Sequence, residues 1–257
     1  MPENVVAAQL YTVRQFTKNA KEVAQTLKKV ADIGYTAVQI SAFGDVSPAE
    51  VAKMCADNGL RIISTHTNWQ RFVDDIDGVI QEHEIYGCKH PAIGGLFGEY
   101  RSVEGLKRFL DEFGPVGEKL AAAGMDFSYH NHSHEFARYG GKTWMEMLFE
   151  QMQGNEVFKF ELDVYWVQHG GADPAYWVRK CAGREPLLHL KDMAITPDRE
   201  QRFAEVGEGN LNWPAILQAA QEGGVEWYCV EQDQCYERDP FESLAISYRH
   251  LKEWGFS

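Results

Sequence analysis

The chain has 257 residues, 44% apolar and 25% charged, which suits one large core or two small ones and excludes a disordered chain, a collagen or a small disulfide scaffold. Asp and Glu (38) outnumber Lys and Arg (25), and a net charge of −13 argues against a protein that grips nucleic-acid phosphates. No stretch approaches the roughly 18 apolar residues of a membrane span. Met1–Leu10 lacks the basic-then-apolar order of a secretion signal. Five scattered cysteines without a CxxC predict free thiols in a reducing cytoplasm.

Along the chain a short β-rich run is followed, again and again, by an amphipathic helical run. The predicted strands are Val5–Leu10, Thr36–Ser41, Leu60–His66, His90–Ile93, Met125–His132, Val157–Asp163, Pro186–Lys191 and Val225–Glu231. Between them, Asn19–Ile33 carries Val23, Leu27, Val30 and Ile33 on one stripe. Ser47–Asn58 opens on Ser-Pro and stops at Gly59, and Ser102–Ala123 stops at Gly124. Trp213–Glu222 follows a predicted cap at Asn212. Repeated βα units mean parallel strands with helical crossovers. Eight of them, at roughly 30 residues each, predict a single-domain (β/α)8 TIM barrel over residues 1–257. An open doubly wound sheet is the runner-up, but AAQLYTVRQF after the first strand has no phosphate-loop glycine.

Barrel chemistry sits where strands end, so the last residues of each strand are the candidates. The first strand offers Gln9, the second Gln39 and the third His66; the fourth offers little. The fifth carries His130 and His132, the sixth Asp163 with Glu161 below it, the seventh His189 and Lys191, and the eighth Glu231. Each alone has a plain structural reading: a lone His satisfied in a core, an Asp capping a helix. Four successive strands ending in His, Asp, His and Glu need a shared explanation, because buried charges require partners or a metal. A nitrogen and oxygen donor set without thiolate suits Mn²⁺, Co²⁺, Mg²⁺, Fe²⁺ or Zn²⁺.

The blocks VAAQLYTVR, GYTAVQIS, YHNHSHEF, ELDVYWV, HLKDM, EVGEGNLNW and VEQD, in this order over essentially the whole chain, resemble the sugar phosphate isomerase/epimerase group of xylose isomerase-like TIM barrels. The resemblance implies one divalent metal held by Glu, Asp, His and Glu from strands five to eight. Asp163, His189 and Glu231 match the last three, and His130 stands where the first Glu is usual. The His-rich fifth strand is similar to that of inosose dehydratases. Endonuclease IV-type relatives need a His where Trp166 stands and an Asp-x-His missing from Asp192–Leu211.

What the resemblance implies is chemistry beside a carbonyl. The metal would chelate a ketose or keto-sugar and stabilise an enediolate, with Glu231 as base and His132 or Glu135 as partner acid. Proton return gives epimerisation or isomerisation; loss of a β-substituent gives elimination, as in a lyase or dehydratase on a keto-polyol or 3-keto-glycoside. Lys191 is read either as an electrophile or as an ion-pair partner of Glu161 or Asp163. His66, Gln9 and Gln39 are hydrogen-bonders for hydroxyls, or structural. Trp69 and Trp166 could stack on a sugar ring or pack the rim. Gly-rich Glu205–Trp213 is read as a phosphate cradle or as a loop into the next helix, and Glu208 as reaching the site or supporting Lys191. The expected partner is a small sugar, with neither nucleic acid nor membrane; a homo-oligomer is in keeping with such barrels.

Overall fold

The computed structural model describes residues 4–96 and 98–257; the first three residues of the Met1–Leu10 segment lie outside them. Eight barrel strands run in chain order: β1 (Val5–Gln9), β2 (Ala37–Ile40), β3 (Arg61–Thr67), β4 (Pro91–Ile93), β5 (Phe127–His130), β6 (Phe158–Glu161), β7 (Leu187–Leu190) and β8 (Trp227–Val230). All pair in parallel, in the spatial order β6-β5-β4-β3-β2-β1-β8-β7. The two ends of that order meet through a bridge between Asp163 and His189 and a bond from His189 N to Leu162 O, which closes the barrel. Where the β6–β7 ladder is incomplete, the carboxylate of buried Glu185 accepts from Leu162 N, and burial pushes that acid well above the usual carboxylate range. The predicted (β/α)8 barrel is thus the observed architecture, with every strand shorter than its sequence window except β3, which keeps its length and is shifted by one residue.

Local chemistry fixes the outer helices. Asn19 caps Ala20–Ile33 through its side chain, and Ser47 with Glu50 forms a capping box at the start of Pro48–Asp57. Ser102 caps Val103–Ala122, and Asn212 caps Trp213–Gly223. Each turns an apolar stripe inward, as Val23, Leu27 and Val30 do. No helix among the described residues is long and apolar enough to cross a membrane. All five cysteines are unpaired, and four are buried.

The barrel interior has two storeys. Val5, Ala7, Ala37, Ile63, Leu187 and Cys229 form a dry plug at the lower end. Above them the inward positions turn polar: Gln9, Gln39, Ser64, Glu161 and His189, all buried. Strand β3 supplies both storeys because its register against β2 slips by one residue between Val38 and Gln39. That extra residue re-aims the strand, so Ile63 joins the plug while Ser64 bonds Gln39.

Two short antiparallel hairpins were not foreseen, Arg138–Tyr139 with Lys142–Thr143 and Asp192–Ile195 with Gln201–Ala204. The second explains the Gly-rich loop. The Asp192 carboxylate accepts from Gly207 N, Gly209 N, Leu211 N and Trp213 Nε1, so the protein's own anion fills the cradle that a phosphate would take. A Cβ at Gly209 would lie 2.3 Å from Asp192 Oδ1, which is why glycine is needed there. Asp192→Ala leaves these donors buried without an acceptor. It is expected to cost about 2–4 kcal/mol, seen as a lowered thermal midpoint; an unchanged midpoint would refute this account of the loop.

Candidate active site

A cavity of about 670 Å³ opens at the C-terminal ends of the strands, lined among others by His66, Trp69, His130, His132, Lys191 and Glu231. Its floor is the polar storey. Glu161 lies in the middle of three imidazoles: His66 Nε2 bonds it, His189 Nε2 is 3.1 Å away and His130 Nδ1 is 3.7 Å away. Gln39 Nε2 donates to both of its oxygens at 3.0 Å. This ring of donors and charge holds the Glu161 carboxyl far below the usual range in spite of burial.

His189 joins this floor to the layer above. Its Nε2 also donates to Gln39 Oε1 at 2.7 Å, while Nδ1 donates to Glu231 Oε2 at 2.9 Å. Acceptors on both ring nitrogens favour the imidazolium, and the flanking Glu161 and Glu231 push its pKa up to about 10 against the burial penalty. Asp163 fills both roles that its sequence position allows. One oxygen caps the helix Val164–His169 by accepting from Trp166 N at 3.0 Å. The other, Oδ2, faces the cluster, 3.9 Å from His130 Nε2 and 3.0 Å from Lys191 Nζ. The Lys191 ammonium is 3.0 Å from Glu231 Oε2 and 3.1 Å from Asp233 Oδ1, so of the two salt-bridge partners proposed for it Asp163 is present and Glu161 is not.

Several observations fit this arrangement to a divalent ion. One ligand atom from each of His130, Asp163, His189 and Glu231 lies within 4.8 Å of the others. The donors are the N/O type such ions take. His130 is 2% exposed and its Nδ1 has no hydrogen-bond partner. Burial and the neighbouring His189, His66 and Lys191 hold its ring neutral, the form that ligates. Glu161, Asp163, Glu231 and Asp233 bring four carboxylates to one cluster, against the two cations His189 and Lys191. A second set, His66, His130, Glu161 and His189, is equally compact, but its Glu161 is already saturated by hydrogen bonds.

The remaining sequence candidates fall in different places. His132 lines the cavity, and burial pulls its pKa down to about 4, so it is neutral near pH 7. Glu135 lies behind it, outside the cavity lining, accepting from Tyr129 Oη at 2.8 Å and His132 N at 2.9 Å. It orients His132. Trp69 borders the cavity, whereas Trp166 packs against His132 with centroids 5.2 Å apart and stays off the wall. Gln9 and Gln39 are fully buried in the floor, joined by a bond from Gln9 Nε2 to Gln39 Oε1 at 2.8 Å. Glu208 is at the surface, bound to His250 at 2.6 Å, and touches neither the cavity lining nor Lys191.

Sequence reasoning passed over Tyr11, Arg14, Arg101, His134 and Asp233, all on the cavity wall. Arg14 reaches there by bonding Tyr11 O and Asp233 O. Strand β4 contributes an absence: a Cβ at Gly95, where φ is +147°, would lie 2.8 Å from the His132 ring. The GG pair after PAI was the available signal.

No curated protein sequence matches the chain. In fold it is similar to a sugar phosphate isomerase/epimerase from Parabacteroides distasonis ATCC 8503, with 27% identity over 100% of this chain and 96% of that one and a TM-score of 0.82. It also resembles an L-ribulose 3-epimerase (17% identity, 96% of this chain and 93% of that one, TM-score 0.74). A third likeness is to a probable 3-DHS dehydratase, AsbF, from Bacillus anthracis (12%, 96% and 98%, TM-score 0.71). A family model described as xylose isomerase-like TIM barrel matches residues 27–254. With the closed eight-stranded barrel and a match that spans most of its length, the chain belongs to the xylose isomerase-like TIM barrel family.

Proposed function

We propose that this protein is a divalent-metal-dependent isomerase or epimerase of a ketose or keto-sugar, Mn²⁺ being the first choice of ion, working in a reducing cytoplasm. The observation that carries the reading is the convergence of His130, Asp163, His189 and Glu231 at the base of an open cavity of about 670 Å³. A bound divalent ion would supply Lewis-acid polarisation of the substrate carbonyl. The other parts of the reaction fall to the side chains. The Glu231 carboxylate, held well below the usual range by Lys191 and His189, is ionised and accepts the α-proton. Neutral His132, oriented by Glu135 through its main chain, is the second proton carrier. Lys191 stays protonated beside Glu231 and stabilises negative charge on an enediolate oxygen. Trp69 on the wall and His66 at the floor of the cavity contact the sugar.

A lyase or dehydratase acting on a keto-polyol or 3-keto-glycoside is the second reading. It is favoured by His134, a further imidazole on the β5 side of the cavity beside His132, as the group that would protonate a departing hydroxyl or glycoside. Nucleic acid is not the substrate we infer, given Trp166 where nuclease relatives use a ligand. Incubating the Mn²⁺-loaded protein with a panel of ketoses and keto-sugars in deuterium oxide tests both readings. Deuterium at the carbon next to the carbonyl of an intact sugar is expected. New enone absorbance with loss of a substituent would replace isomerisation by elimination, and neither signal across the panel would count against both.

A further inference from the structure

Lys191 stands two residues beyond His189, between β7 and the hairpin that begins at Asp192. Its side chain is 1% exposed, yet its ammonium has Asp163 Oδ2 and Glu231 Oε2 at 3.0 Å and both oxygens of Asp233 at 3.1 Å. Three carboxylates gathered on one buried cation is the environment of a small metal ion more than of an ordinary surface lysine. Two of the three, Asp163 and Glu231, belong to the compact four-residue set described above. The ammonium therefore addresses carboxylates that an incoming dication would also need.

We propose that Lys191 is a built-in counter-ion of the metal site. Its ammonium keeps Asp163, Glu231 and Asp233 together before the ion arrives, and opposes the ion once it is there, so it sets the affinity of the site. This rests on the metal-dependent reading above. Without the ammonium the three carboxylates repel one another in a buried pocket, which weakens the ion-free fold. With it, a fixed positive charge a few ångströms from a dication lowers affinity by at least about tenfold, even at an effective dielectric constant near 20. The two effects have opposite signs, and this separates a counter-ion from a purely structural lysine.

The test uses the full chain stripped with chelator, Mn²⁺ titrated by calorimetry, and thermal midpoints with and without saturating Mn²⁺. Lys191→Met keeps the unbranched side chain as far as the position of Cε and removes the charge. It is expected to melt below the wild type without metal, to bind Mn²⁺ at least about tenfold more tightly, and to gain more from saturating Mn²⁺ than the wild type does. Asp233→Asn leaves the lysine and the four-residue set in place but makes the cluster more positive, so its Mn²⁺ affinity should fall at least about threefold. A Lys191→Met protein whose midpoint drops equally with and without Mn²⁺, at unchanged affinity, would overturn the proposal. So would weakened Mn²⁺ binding in that variant, which would make the ammonium an organiser of the ligands. Should Lys191→Met fail to fold, unchanged or tighter binding by Asp233→Asn overturns it instead. A wild type that takes up no Mn²⁺ removes the metal reading itself; a wild type that binds, with flat variants, removes only the role given to Lys191.

Discussion

His189→Ala is expected to bind Mn²⁺ at least roughly a hundredfold more weakly than the wild type, since even outer-shell partners of a metal cost up to that much when removed. Asp163→Ala should behave alike. Elemental analysis of protein purified without chelator, followed by calorimetric titration, measures it, and far-UV circular dichroism checks that the barrel persists. Full metal occupancy in both variants would sink the ligand assignment. The ionisation of His189 adds a signature. Its ring is an imidazolium between Glu161 and Glu231, with its pKa pushed up to about 10, and a ligand must be neutral. Metal binding by the wild type near pH 8 should therefore release about one proton, with affinity rising as pH rises toward 10. Titrations in two buffers of different ionisation enthalpy give the proton count.

Glu161→Gln is expected to lower stability by about 3–5 kcal/mol, or roughly 10 °C in thermal midpoint for a chain of this size, because one partner of a buried ionic network is removed. In the wild type the carboxylate answers His66, His189 and both Gln39 contacts. The neutral amide leaves the His189 imidazolium with Glu231 as its single carboxylate partner. The pH dependence has a definite sign. The folded-state acid lies below its ordinary value of 4.5, so its contribution is full above that value and disappears only as pH falls through the depressed folded one. The gap between wild type and variant should thus persist from neutral pH down past pH 4. Melts between pH 3 and pH 8 check this, and equal midpoints at pH 7 would contradict the network.

The architecture was legible because each of its signals is local. Eight βα units, the caps at Asn19, Ser47 and Asn212, and the alternation along each strand depend on neighbours in the chain, and these produced the barrel. Parallel strands closing in register then bring strand ends together, so His130, Asp163, His189 and Glu231 could be picked as one set from position alone. Position along a strand does not say how high a side chain sits. Gln9 and Gln39 occupy inward positions but lie in the sealed floor, where they satisfy Glu161 and each other.

Other features depended on contacts between segments far apart in sequence. Asp192 selects the Gly-rich loop as its own partner across 15 to 21 residues, which turned a phosphate-like motif into an internal support. Glu208 shares that loop but leaves it toward His250 on the last helix. Asp233 entered the site because a loop beyond β8 folds back over Lys191, and nothing in the order of residues says that it must. The sequence by itself determined the repeat, the barrel and the strand ends at which chemistry is placed, since periodicity and capping act within a few residues. The tertiary structure decided which carboxylates share a cation, which histidines stay neutral and which polar groups face the cavity, because charge and burial depend on distance in space.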